Sequence, residues 1–150
     1  MPDPRNAPGR APGELAQPSE PFKYPQDHVA AIVDSPDQLR HALENLTGGG
    51  FLESEVTVLA GPKEAERLDA STGRTGLLYH VLRVADWLGM LHKEMEVKER
   101  YEQALREDGH VILVLAPTEE RKRLTADILR NAGGYFIKFF GRFTIEVLAP

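Results

Sequence analysis

Apolar residues fall in two kinds of run along this chain, and the runs alternate. Val29 to Val33 and Val111 to Leu115 are apolar at every position, the pattern of a strand covered on both faces. Glu55 to Ala60 sets Val56 and Val58 between Glu55 and Thr57, which predicts a half-exposed strand. Tyr135-Phe136-Ile137-Lys138-Phe139-Phe140 predicts an aromatic strand. Between the strands of each pair the period lengthens to that of a helix. Leu39, Ala42, Leu43 and Leu46 recur at i, i+3, i+4 and i+7, and Leu124, Ile128, Leu129 and Ala132 form the matching buried face in the second half.

The punctuation agrees with this period. Ser35 is placed to cap the first helix, with Pro36 at its first position and Gln38 where a capping box needs it. Gly48-Gly49-Gly50 stops that helix. Thr118 caps the later one, with Glu119 and Glu120 in the first turn, where negative charge suits the dipole. Gly133-Gly134-Tyr135 then echoes Gly49-Gly50-Phe51. Two β-α-β halves of this kind predict an α+β fold, a ferredoxin-like split β-α-β sandwich over residues 28–150. The continuously apolar strands would be central and the other two would be edges. A further strand, Phe143 to Leu148, is expected to pair with the aromatic strand through a turn at Gly141-Arg142.

Residues 62–108 form an insert between the halves and read as helical throughout. Pro62 opens a short helix through Leu68 and Ala70, and Thr72-Gly73-Arg74-Thr75-Gly76 breaks it. A strong helix is then predicted from Leu77 to about His92, on the apolar set Leu77, Leu78, Val81, Leu82, Ala85, Leu88 and Leu91. Met95 to Leu105 continues with Val97, Tyr101, Ala104 and Leu105 on one side, and with Glu94/Lys98 and Glu102/Arg106 spaced as i,i+4 pairs. A ferredoxin-like sheet carries its two helices on one face, so either this insert or a second subunit must cover the other. Both remain open, and a homodimer is favoured because sheet faces and edges are common pairing surfaces.

Residues 1–27 are expected to be a disordered Pro-rich tail, since Pro2, Pro4, Pro8, Pro12, Pro18, Pro21 and Pro25 leave too little apolar surface to offset ordering. Phe22 and Tyr24 would be the anchors if it docked on a partner. The whole chain has 150 residues, 41% of them hydrophobic, enough for one domain with a sizeable core. Its formal charge of -5 argues against nucleic acid and against an anionic membrane surface as partners. There is no cysteine, so disulfides and thiolate metal sites are excluded. No targeting segment or membrane-length apolar run is visible, and a cytoplasmic protein is the simplest expectation.

Reactive-group motifs are sparse. Gly48-Gly49-Gly50 follows a helix and opens a strand, the reverse of a phosphate loop. Gly73-Arg74-Thr75-Gly76 precedes a helix and reads as a flexible joint, with anion binding by Arg74 as the alternative. On one helix His80 and His92 would point about 120° apart, which argues against a shared metal there. His92, Glu96 and Glu99 share a face that reads as solvated. His80, Arg83, Val84, Trp87 and Leu91 form a mixed stripe that borders either a ligand pocket or a packing seam. The cluster Tyr135, Phe136, Phe139, Phe140 and Phe143 reads as core or subunit packing, with a single-strand stacking platform as the alternative. No Gly-x-Ser-x-Gly elbow, Walker loop or paired-histidine motif is present, so no catalytic residue, metal or cofactor is assigned.

The series from Val29 to Leu59, a strand, a capped helix, a Gly-Phe return and a short Val-Thr-Val-Leu strand, resembles the bacterial general stress protein 17M-like domain. Tyr101-Glu102-x-Ala104-Leu105, Ile128-Leu129-x-x-x-Gly133-Gly134 and Phe140-Gly141-Arg142-Phe143-Thr144-Ile145-Glu146 resemble small uncharacterised bacterial proteins that carry it. The resemblance implies a cytoplasmic, stress-linked protein and supplies no catalytic residue. The functional expectation is a non-enzymatic, oligomerising binding or regulatory module. It would take a protein partner or small ligand at the seam between insert helices and sheet, lined by Arg74, His80, Arg83, Trp87 and Arg142. The alternative is a small ferredoxin-like enzyme with a pocket at that seam, using His80 or Tyr79 as acid or base.

Overall fold

In a computed structural model, which describes residues 25–71, 80–83, 95–142 and 144–150, the apolar strand β1 (His28–Val33) lies inside a six-stranded sheet. Val29 to Val33 are fully buried, so both sides of β1 must be covered. Its neighbours are β4 (His110–Leu115) and β5 (Tyr135–Phe140), both antiparallel to it. β4 also pairs antiparallel with β2 (Val56–Ala60), and β2 pairs in parallel with β3 (His80–Arg83). Beyond β5 runs β6 (Ile145–Ala149), antiparallel, so the order is β3-β2-β4-β1-β5-β6. The class is α+β, with every adjacent pair antiparallel except β2 with β3.

Four helices are described, α1 (Pro36–Gly48), α2 (Pro62–Ser71), α3 (Met95–Arg106) and α4 (Glu119–Asn131). Their ends follow the cap chemistry of the sequence. Ser35 Oγ accepts from Gln38 N at 3.1 Å, while Gln38 Oε1 accepts from Asp34 N at 2.8 Å, one residue before the cap. Thr118 Oγ1 accepts from Arg121 N at 3.1 Å. After α4 the chain turns through Gly133 at φ +96°, a left-handed conformation that glycine adopts without penalty. Gly134 then passes so close to the helix end that a Cβ there would sit 2.7 Å from the Leu129 carbonyl oxygen.

The sheet is packed on both faces. On one, Val29, Ala31, Val33, Ile112 and Val114 meet Leu39, Leu43 and Leu46 of α1, Leu129 of α4, and Ala65 and Leu68 of α2. On the other, Ala30, Ile32, Val111 and Leu113 meet Tyr101, Ala104 and Leu105 of α3. The insert's own helix therefore covers the face that the two halves leave open. Tyr101 is fully buried there, a contribution on the order of 3 kcal/mol by burial of its ring.

Four expectations need correction. The insert is not helical throughout, because His80–Arg83, inside the helix expected from Leu77, is the strand β3. A parallel pair needs a crossover, and α2 lies between β2 and β3 to supply one. β2 is neither an edge nor half-exposed, since β3 pairs outside it and Val58, Leu59 and Ala60 are fully buried. The buried side of α4 is Lys122, Thr125, Ala126 and Leu129, while Leu124 is exposed. That rotation lets Lys122 Nζ reach Glu146 Oε1 of β6 at 2.7 Å. Finally, the fold already includes Pro25 to Asp27, assigned to the tail by composition. Asp27 N donates to the Phe140 carbonyl at 2.7 Å, and the Asp27 carbonyl accepts from Ala116 N at 2.7 Å. The tail before Pro25, the Gly73–Gly76 joint, the rest of the expected helix and Phe143 lie outside the described residues.

Candidate functional site

The carboxyl end of β1 is where the insert helices bring charge to the sheet. Ile32 of β1 stands opposite Tyr135 of β5, and the register shifts between Ala30 and Ile32. At this bulge Phe136 adopts φ +52°, so the successive rings of Tyr135 and Phe136 both pack against the α3-side core. A left-handed phenylalanine is costly and persists only when its surroundings hold it. Phe136 N donates to the Pro150 carbonyl at 2.7 Å, and the Phe136 ring meets Tyr101 edge-on at 5.3 Å between centroids.

Three polar groups gather on these two rings. The Tyr135 hydroxyl donates to Asp34 Oδ1 at 2.8 Å. Arg100, from α3, places its guanidinium carbon 5.2 Å from the Tyr135 centroid and 5.6 Å from that of Phe136. Lys138 holds its ammonium 4.2 Å from the Phe136 centroid. Burial, and then the Asp34 carboxylate, raise the Tyr135 hydroxyl above its ordinary range, with Arg100 working against them. Tyr135 is thus a proton-bearing donor at neutral pH.

A second cluster lies on the opposite face of the same sheet end. His110, fully buried and opposite Val33, has Nε2 3.2 Å from Glu64 Oε1 of α2. The two insert helices thus grip the end of β1 from both sides, one with a carboxylate and one with a guanidinium.

Of the residues expected to line one site, His80, Arg83 and Arg142 are among the described ones. Arg74 and Trp87 lie outside the described residues, as does Tyr79. His80 opens β3 opposite Thr57 and Arg83 closes it opposite Ala60. Arg142 is exposed in the turn between β5 and β6. Between β3 and β5 stand β2, β4 and β1, so at about 4.8 Å per strand these two strands are ~19 Å apart. The aromatic cluster also divides. Phe139 packs with the α1 and α4 side under Lys122, at 4.6 Å, whereas Phe136 and Phe140 belong to the α3 side. Asp34 and Arg100 were not singled out by sequence, and Tyr135 only as a member of the aromatic cluster. The one local signal was a lysine inside an aromatic strand.

Among the described residues no group of three or more His, Asp or Glu is placed to hold a metal, and no helix is long and apolar enough to cross a membrane. No protein-family model, curated protein or solved structure matches the chain.

Proposed function

We propose that this chain is a ferredoxin-like binding module that self-associates through β6 and takes its ligand where α3 meets the sheet. The order β2-β4-β1-β5, with α1 joining β1 to β2 and α4 joining β4 to β5, supports the split β-α-β assignment. β3 and β6 extend that unit at its two edges.

The observation that carries self-association is the edge strand β6. The faces of the central strands are occupied by the chain's own helices, which leaves the edge as the surface for a second copy. Val147, at the middle of β6, is 62% exposed. Antiparallel pairing of β6 with its own copy about Val147 sets Glu146 against Leu148, so no carboxylate faces another. A cytoplasmic, stress-linked role follows from the resemblance to the stress-protein domain and rests on that resemblance alone. Light scattering across a concentration series tests the pairing. A dimer that becomes monomeric in Val147→Lys supports it, and a wild-type monomer throughout the series rejects it.

A second reading, a small enzyme with its pocket at the seam, is favoured by one contact. The Tyr135 hydroxyl on Asp34, beside Arg100, is arranged as a proton donor next to a cation. Tyr135→Phe would abolish turnover on that reading and leave self-association untouched.

A further inference from the structure

β6 reads Ile145-Glu146-Val147-Leu148-Ala149, so Glu146 is its one charged side chain. Charges on an edge strand usually keep other strands away. This charge is neutralised from the helix layer. Lys122 of α4 donates to Glu146 Oε1 at 2.7 Å, and its ammonium lies 4.6 Å from the ring centroid of Phe139, the residue of β5 paired with Glu146. Lys122 is buried, and the hydrogen bond to Glu146 raises its proton affinity above the ordinary ammonium value while desolvation opposes the rise. Glu119 also reaches the ammonium, at 3.0 Å, but it is exposed and water screens its charge.

The place of Glu146 on the edge gives this neutralisation a consequence for assembly. Pairing of β6 with its own copy about Val147 sets Glu146 opposite Leu148, which makes the two Glu146 side chains diagonal neighbours on the α4 face of the sheet. Diagonal neighbours across an antiparallel pair stand about 7–8 Å apart, within reach of long side chains. Two bare carboxylates there would repel, whereas each brings its own ammonium. We infer that Lys122 is a positioning residue for self-association, the cation that lets β6 accept a second copy of β6. Without its charge the two Glu146 carboxylates guard the edge. This role rests on the proposed pairing through β6 and names the side chain on which that pairing depends.

Sedimentation equilibrium of the full chain gives the dimer dissociation constant for wild type, Lys122→Met, Glu146→Gln and the double variant. At low salt Lys122→Met is expected to weaken the dimer on the order of fivefold, the scale for two like charges about 8 Å apart between the bulk-water and protein-surface limits. Salt at about 1 M, where the screening length is about 3 Å, should close that gap. Adding Glu146→Gln to Lys122→Met should restore wild-type association, and Glu146→Gln alone should pair at least as tightly as wild type. Lys122→Met that pairs like wild type at low salt would overturn the role, as would weaker pairing in Glu146→Gln. A loss that neither salt nor Glu146→Gln repairs would overturn it too, because it marks a structural defect rather than a charge effect. A wild type that stays monomeric at every concentration rejects pairing through β6 and this role with it, whereas a wild-type dimer with any of the other failures rejects the role of Lys122 alone.

Discussion

His110 and Glu64 meet at 3.2 Å although 46 residues separate them, and the imidazole of the pair is fully buried. The contact fastens α2 to the first residue of β4. Glu64→Ala removes an acceptor from a buried polar group, which costs about 1–3 kcal/mol. Urea denaturation should show that loss with an unchanged slope. A midpoint equal to wild type would mean that His110 is satisfied without this carboxylate.

Tyr101 carries the α3 layer. Its ring is fully buried against Phe136 and Phe140, and its hydroxyl donates to the Phe136 carbonyl at a long 3.4 Å. Tyr101→Phe should therefore cost less than about 1 kcal/mol, and Tyr101→Ala about 3–5 kcal/mol. Near-equal losses in a denaturation series would show that the hydroxyl, not the ring, is the stabilising part.

Gly134 is fixed by closeness rather than by its turn. A Cβ at this position meets the Leu129 carbonyl oxygen, a backbone atom, at 2.7 Å and the Ala31 Cβ at 3.5 Å, which leaves little room to yield. Gly134→Ala should destabilise by about 1–3 kcal/mol, the usual cost of overpacking. Thermal unfolding of the variant checks this, and an unchanged midpoint would show that α4 can slide.

The acid limb of stability should carry a contribution from His28. Burial lowers its proton affinity below the ordinary value of 6.5, and hydrogen bonds to the Gln26 and Pro25 carbonyls and the Asp27 charge only partly oppose this. A base depressed on folding binds fewer protons in the folded chain. Its term is absent above the unfolded value and becomes destabilising as pH falls through it. The urea midpoint of wild type should therefore drop more than that of His28→Gln between about pH 7.5 and about pH 5. Equal drops would remove His28 from the acid transition.

How far sequence reached depended on whether a pattern was local. β1 and β4 were legible because burial on both faces leaves no polar position in Val29 to Val33 or Val111 to Val114. The caps at Ser35 and Thr118 were legible because each is complete within three residues. β3 was not, since His80-Val81-Leu82-Arg83 sits among leucines at helical spacing, and only the open side of β2 makes a strand of it. The burial of Lys122 on α4 was not legible, because its partner Glu146 comes from a strand whose position no local rule gives. The seam site was illegible for the same reason. Asp34 and Tyr135 are 101 residues apart, and pairing of β1 with β5 is what joins them.

That pairing also governs how the chain can come together. Both neighbours of β1 belong to the second half, and β2, the first half's other strand, touches β4 rather than β1. The halves are interlocked like fingers, so neither contains two adjacent strands of the four-strand centre except through the other. During synthesis the first half must wait, with its most apolar strand unpaired, until β4 and β5 have left the ribosome. A break in the insert would for the same reason leave two fragments that form this sheet only in each other's presence.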